Sequence, residues 1–293
     1  MATRLAIGPA SQSLGKSLAE RLRLEAASVL FKEFPDGETY VKLTEVSPGD
    51  DLIVVQSLSP PQARNLMVLL QIASAARDIG VRRISVVAPY LAYSRQDKMF
   101  LPGEAVSARL VAKVLESCGV QRVYVVEPHS AESLSFFRIP AVPVSPVDDI
   151  VKFLGDRTGS VIVAPDEKRV PDARELASKL SCDYGWVEKT RDRDTGEVRS
   201  KIGSVPHGKK TAVIFDDIIS SGSTIVKAAE LLRSIGFEEI EAGCVHGLFV
   251  QRAEEKLAAA GVRSIFASDT IEGKMTRYSV AGSIAKSIEK DGP

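Results

Sequence analysis

Short apolar runs alternate along this chain with longer segments whose apolar residues return every three or four positions, and that rhythm predicts strands alternating with helices. Residues 2–7 read as a strand, 11–22 as a helix, 51–56 as a buried strand, 64–79 as a helix and 83–88 as a strand. The strands lack apolar/polar alternation, as expected where helices cover both faces of a parallel sheet joined by right-handed crossovers. A helix over 106–117 and a strand over 122–127 continue the series. The stretch 31–41 breaks it: it alternates poorly around Pro35-Asp36-Gly37, which predicts an exposed β excursion about a turn.

A Pro-rich stretch at 140–148 predicts a crossing into a second domain, after which the pattern returns. Strands are expected at 160–164, 183–187, 211–215 and 264–267, and helices at 171–180, 225–236, 251–260 and 279–288. The polar, charged segment 190–210 reads as a mobile loop or β-flap that closes over a site. The fold class predicted is α/β, with two similar domains over 1–145 and 146–293, the last helix packing back on the first.

Composition narrows the function. Lys+Arg and Asp+Glu both number 38, and this balance argues against a generic nucleic-acid or membrane binder while leaving small anionic ligands open. No signal peptide or membrane-spanning run is indicated, so a cytoplasmic protein is expected. Cys118, Cys182 and Cys244 are far apart without metal-ligand spacing and read as reduced thiols.

The chemistry concentrates in Thr211–Thr224, TAVIFDDIISSGST. A strand delivers Asp216 and Asp217 to its carboxyl end, and Ser220, Ser221, Gly222, Ser223 and Thr224 follow before a helix. Backbone N–H groups at a helix start, a glycine and several hydroxyls make a phosphate cradle, while adjacent carboxylates suit sugar hydroxyls. A phosphate beside vicinal hydroxyls describes a ribose 5-phosphate. No Gly-Lys-Ser/Thr ending is present, so a P-loop is not supported. Arg95 and Lys98 lie past the carboxyl end of strand 83–88, where α/β sheets place ligands, and His129 follows strand 122–127. From position alone His129 fits a structural hydrogen-bonder or a metal ligand.

The stretch 211–224 resembles the PRPP-binding motif of type I phosphoribosyltransferases and of PRPP synthases. With FPDGETY (34–40), PYLAYSRQDK (89–98), VVEPHS (125–130) and WVEKTRD (186–192), the chain is similar over nearly its whole length to ribose-phosphate diphosphokinases, the EKTRD form looking closest to the archaeal-type branch. That resemblance implies Mg²⁺-dependent transfer of the β,γ-diphosphate of ATP to O1 of ribose 5-phosphate, giving PRPP and AMP, by a homo-oligomer. It implies adenine contacts from Phe34, Asp36 and Glu38 of a neighbouring subunit and ATP binding by Arg95, Gln96 and Asp97. It further implies Mg²⁺ or its water shell on His129 and Asp166, and ribose 5-phosphate on Asp216, Asp217 and Ser220 to Thr224. Lys189 and Arg191 would stabilise the transferring group. Glu167-Lys168-Arg169 replaces the Gly-rich turn common in the family, where Lys168 and Arg169 could bind diphosphate by side chain instead. A non-catalytic regulatory homologue and a phosphoribosyltransferase are the alternative readings.

Overall fold

The computed structural model describes residues 1–191, 198–206 and 208–291, with the backbone alone for 189–191 and 198–200. The chain divides into two compact units. The first comprises Met1–Pro146, Asp269–Glu272 and Ser279–Pro293, and the second Val147–Ser268 and Gly273–Tyr278.

The first unit runs β1 (Thr3–Ile7), α1 (Gln12–Leu22), β2 (Glu25–Glu33), β3 (Thr39–Thr44), β4 (Asp51–Val55), α2 (Gln62–Ile79), β5 (Arg83–Ala88), α3 (Ser107–Ser117), β6 (Val120–Val126), α4 (Ala131–Ser135) and β7 (Ala141–Val144). Its strands form one sheet in the order β3-β2-β1-β4-β5-β6-β7, parallel except for the antiparallel β2–β3 hairpin. β4 is buried at every position, and α2 turns Val68, Leu69, Ile72, Ala73 and Ala76 inward at helical spacing. Gly80 stops α2 in the left-handed region at φ 90°, returning its N–H to the Ala76 and Arg77 carbonyls.

The second unit runs α5 (Val147–Leu154), β8 (Ser160–Ala164), a 3₁₀ turn (Glu167–Arg169), α6 (Val170–Leu180), β9 (Asp183–Arg191), β10 (Val198–Ser204), β11 (Thr211–Ile219), α7 (Ser223–Ser234), β12 (Glu239–Gly247), α8 (Ala253–Ala259), β13 (Ser264–Ser268) and β14 (Thr276–Tyr278). Its sheet order, β10-β9-β8-β11-β12-β13-β14, repeats the plan of the first, again with one antiparallel hairpin, β9–β10, at the edge. Val161, Val163, Ile214, Ile225, Leu232, Ile240 and Leu257 belong to its buried apolar core. The final helix, α9 (Ala281–Asp291), belongs to the first unit and packs against α1.

Several sequence readings need correction. The strand expected to end at 215 runs on through both aspartates to Ile219, because Ile218 and Ile219 bury against β12. The Pro-rich stretch 140–148 holds β7, an edge strand that tolerates Pro143, and the start of α5. Both are short enough to hide beside prolines, and α4 and three-residue β14 escaped notice for the same reason. The segment 190–210 forms the outer arm of the β9–β10 hairpin, while its residues 192–197 and His207 lie outside the described residues.

Candidate active site

In the first unit the chemistry collects past the carboxyl ends of β5 and β6. Both strands end in strained turns, with Tyr93 at φ 67° and Glu127 at φ 39°, conformations a non-glycine residue adopts only where its surroundings impose them. Ser94 Oγ donates to the Leu91 carbonyl at 2.7 Å and Gln96 N–H to Tyr93 O at 2.9 Å, which folds the loop tightly. Arg95 and Gln96 are left exposed. Gln96 also accepts from the Ser107 hydroxyl at the start of α3. Asp97 Oδ2 accepts from Ser130 Oγ at 2.6 Å, joining this loop to the His129 turn, and Ser130 Oγ also accepts from Ser133 N–H to cap α4. The structure thus ties the Arg95–Asp97 loop to the His129 turn through Ser130, to which sequence reasoning gave no role.

Phe34, Asp36 and Glu38 lie elsewhere, at the β2–β3 turn. Phe34 N–H donates to Glu38 O and Gly37 N–H to Phe34 O, both at 2.8 Å, with Gly37 at φ 91°. The Phe34 and Tyr40 rings meet edge to face at 6.4 Å, and all four side chains are exposed. Thr39 and the α2 residue Gln71 exchange hydrogen bonds of 2.8 and 2.9 Å that fix the hairpin base. β2 and β3, which flank this turn, stand three and four places from β5 across the sheet, so strand spacing separates the turn from the Arg95 loop by about 14–19 Å.

In the second unit β9, β8 and β11 are consecutive neighbours. Ala164 pairs with Trp186 and Val163 with Ile214, so Lys189, Asp166 and Asp216 all fall just beyond the last paired residues of β8, on one sheet edge. Asp166 caps the 3₁₀ turn by accepting from Lys168 N–H at 3.1 Å. Asp216 Oδ1 accepts from Asp217 N–H, and Asp217 Oδ1 from Ile218 N–H, both at 2.9 Å. Arg169 Nη2 donates to Asp217 Oδ2 at 2.8 Å, Nη1 to Asp172 Oδ2 at 2.9 Å, and its Nε stands 4.0 Å from Asp216 Oδ1. Arg169 is thus paired with carboxylates, while Lys168 stays exposed.

Electrostatics separates the two aspartates. Burial, then the charge of Asp217 alongside, pushes the Asp216 carboxyl up to about 8, with Asp166 adding to the rise and Arg169 opposing it. Burial on its own would lower the Arg169 guanidinium, but Asp217, Asp172 and Asp216 outweigh it and raise it. Below the aspartates, Gly222 occupies the left-handed region at φ 74° as the N-cap of α7, which starts at Ser223, two residues before the expected start. A β-carbon on Gly222 would sit 3.4 Å from both Ala253 and Leu257 of α8. The first-turn N–H groups of α7 have no acceptor within their own helix, and the Ser221 and Ser223 hydroxyls lie 3.2 Å apart beside them. Leu248 and Phe249 N–H groups clamp Ile219 O at 2.9 and 3.1 Å, and Val250 N–H holds Ser220 O at 3.0 Å, which fixes the cradle's entry. The side chains of Lys189 and Arg191 lie outside the described residues.

No three His, Cys, Asp or Glu side chains gather into a metal-holding group among the described residues. The Asp166 carboxylate is a hard oxygen donor, the kind Mg²⁺ takes from one or two side chains while completing its shell with water and substrate phosphates.

Known proteins identify the family. Residues 3–119 match the N-terminal domain of ribose phosphate pyrophosphokinase, and residues 148–280 match the phosphoribosyl transferase domain. Ribose-phosphate pyrophosphokinase of Sulfolobus acidocaldarius is 37% identical over 286 residues, covering 96% of this chain and 98% of that protein. The Methanobrevibacter smithii enzyme is 36% identical over 291 residues, covering 95% and 97%. The crystal structure of phosphoribosylpyrophosphate synthetase from Mycobacterium smegmatis superposes with a TM-score of 0.88 at 27% identity over all of both chains. On matches that run in order through both halves, this chain belongs to the ribose-phosphate pyrophosphokinase family of enzymes.

Proposed function

We propose that this enzyme transfers the β,γ-diphosphate of ATP to O1 of ribose 5-phosphate, forming PRPP and AMP. The observation that carries this reading is the edge of the second sheet, where β11 carries two carboxylates and leads into a helix-start cradle, at the same strand ends as Asp166. The cradle holds the 5-phosphate with first-turn N–H groups and the hydroxyls of Ser220, Ser221, Ser223 and Thr224, and Gly222 permits close backbone approach. Asp216 and Asp217 accept hydrogen bonds from the ribose hydroxyls, which leaves O1 as the nucleophile. Arg95, with Gln96 and Asp97, binds ATP, the Arg95 guanidinium suiting a phosphate bidentately. Lys189 and Arg191, at the end of β9, stabilise charge on the transferring group, since phosphoryl-type transfer depends mainly on positioning and electrostatics. His129 and Asp166 hold Mg²⁺ or its waters, and the bound ion supplies charge neutralisation on the triphosphate.

Adenine is completed by Phe34, Asp36 and Glu38 of a second subunit. Support for this comes from the lateral separation of that exposed turn from Arg95 within one subunit. The decisive experiment measures AMP and PRPP formed from ATP plus ribose 5-phosphate, with and without excess chelator. Stoichiometric AMP and PRPP, abolished by chelator, are expected; no product with Mg²⁺ present, or rates unchanged by chelator, would overturn the reading.

A further inference from the structure

We propose that Arg169 is a positioning residue of the ribose 5-phosphate site, holding the Asp216–Asp217 carboxylate pair in place to receive the sugar hydroxyls. The proposal rests on the reading of those aspartates as the sugar acceptors. Its own basis is the geometry of the guanidinium. Arg169 leaves the 3₁₀ turn after β8 and crosses to the neighbouring strand β11, with a side chain only 17% exposed. One arm meets Asp217 Oδ2 at 2.8 Å, the other meets Asp172 Oδ2 on α6 at 2.9 Å, and the Nε edge faces Asp216 Oδ1 at 4.0 Å.

Two adjacent, largely buried carboxyl groups have little room for charge, and charge alone fixes neither of them in place. The planar fork solves both problems. It places a permanent positive charge against the pair, and it anchors Asp217 between a backbone N–H on Oδ1 and a guanidinium N–H on Oδ2. Asp172 braces the far arm from α6. Lysine, a point charge without a fork, could meet one carboxylate but not span both. In a turn where side chains replace glycines, Arg169 therefore serves the sugar rather than the diphosphate.

The test varies each substrate separately for Arg169→Ala and Arg169→Lys, with calorimetric titration of ribose 5-phosphate into each protein and a melting temperature for each. Arg169→Ala should raise KM for ribose 5-phosphate about tenfold or more while KM for ATP stays within about twofold. Arg169→Lys should fall between Arg169→Ala and the native protein, and added guanidinium should restore ribose 5-phosphate affinity to Arg169→Ala where tetramethylammonium does not. A folded Arg169→Ala protein with native affinity for ribose 5-phosphate would overturn the proposal. So would equal losses for both substrates in step with a lowered melting temperature, the mark of a general structural prop. Should Arg169→Ala fail to fold, Arg169→Lys carries the test, and native ribose 5-phosphate affinity in that variant refutes the need for the fork. If the native protein itself fails to bind ribose 5-phosphate, the underlying site reading falls, an outcome visible before any variant is compared.

Discussion

Asp216 is held in a state its unfolded form would not adopt. In the folded chain burial and Asp217 keep its proton until about pH 8, whereas an unconstrained aspartate ionises near 3.8. Between those values the folded state binds more protons than the unfolded one, so stability falls as pH rises through that window. Asp216→Asn removes the titration while keeping the shape. Denaturant midpoints of the ligand-free protein, measured from about pH 4 to pH 8, should decline less steeply in Asp216→Asn than in the native protein; parallel declines would count against a protonated Asp216. At this scale the sequence was legible for side chains that share a motif, as in Asp216 with Asp217 or Ser220 through Thr224. It was silent about partners brought together by strand adjacency. Arg169 and Asp217 are 48 positions apart, and Asp97 and Ser130 are 33 apart, with no local periodicity linking either pair.

The hairpin β9–β10 is the element on which turnover should depend. Lys189 pairs in register with Ser200 and Arg191 with Val198, so the proposed catalytic pair sits at the tip of an edge ribbon whose base is locked by close packing. At that base the ladder shifts register between Ile202 and Ser204, and a β-carbon on Gly203 would come within 2.3 Å of Trp186 Nε1. Charge that develops in the transition state is stabilised more than ground-state charge by such preplaced cations. Lys189→Ala should therefore cost about 10²–10³-fold in kcat with a smaller change in KM. Near-native kcat at saturating ATP and ribose 5-phosphate would remove Lys189 from the mechanism. Elements with a long period or a fully apolar run, such as α2, β4 and β8, were readable from the sequence almost to their ends. The pattern failed where polar residues continue a strand, as in β11, because pairing with β12 outweighs the cost of placing aspartates in a ladder.

For the whole molecule, the exposed Phe34–Tyr40 turn predicts assembly. Phe34 is 47% and Tyr40 40% exposed, and residues proposed to contact adenine need a neighbour's Arg95 loop to complete a site. Light scattering at assay concentration should return a dimer or larger species, and full activity from a monomer would contradict the shared site. The doubling of one α/β plan was visible in the alternation of elements, but the true path between the halves was not. Residues 269–272 leave the second unit to join the first, where Glu272 accepts the Ser13 and Leu14 N–H groups at the start of α1 at 2.6 and 3.1 Å. Ser57 Oγ donates to Thr270 O at 2.7 Å in the same place, and α9 then covers α1. On the ribosome the half that emerges first therefore cannot finish folding by itself: its cap and its covering helix come from residues 269–272 and 279–291, made only after nearly all of the second half.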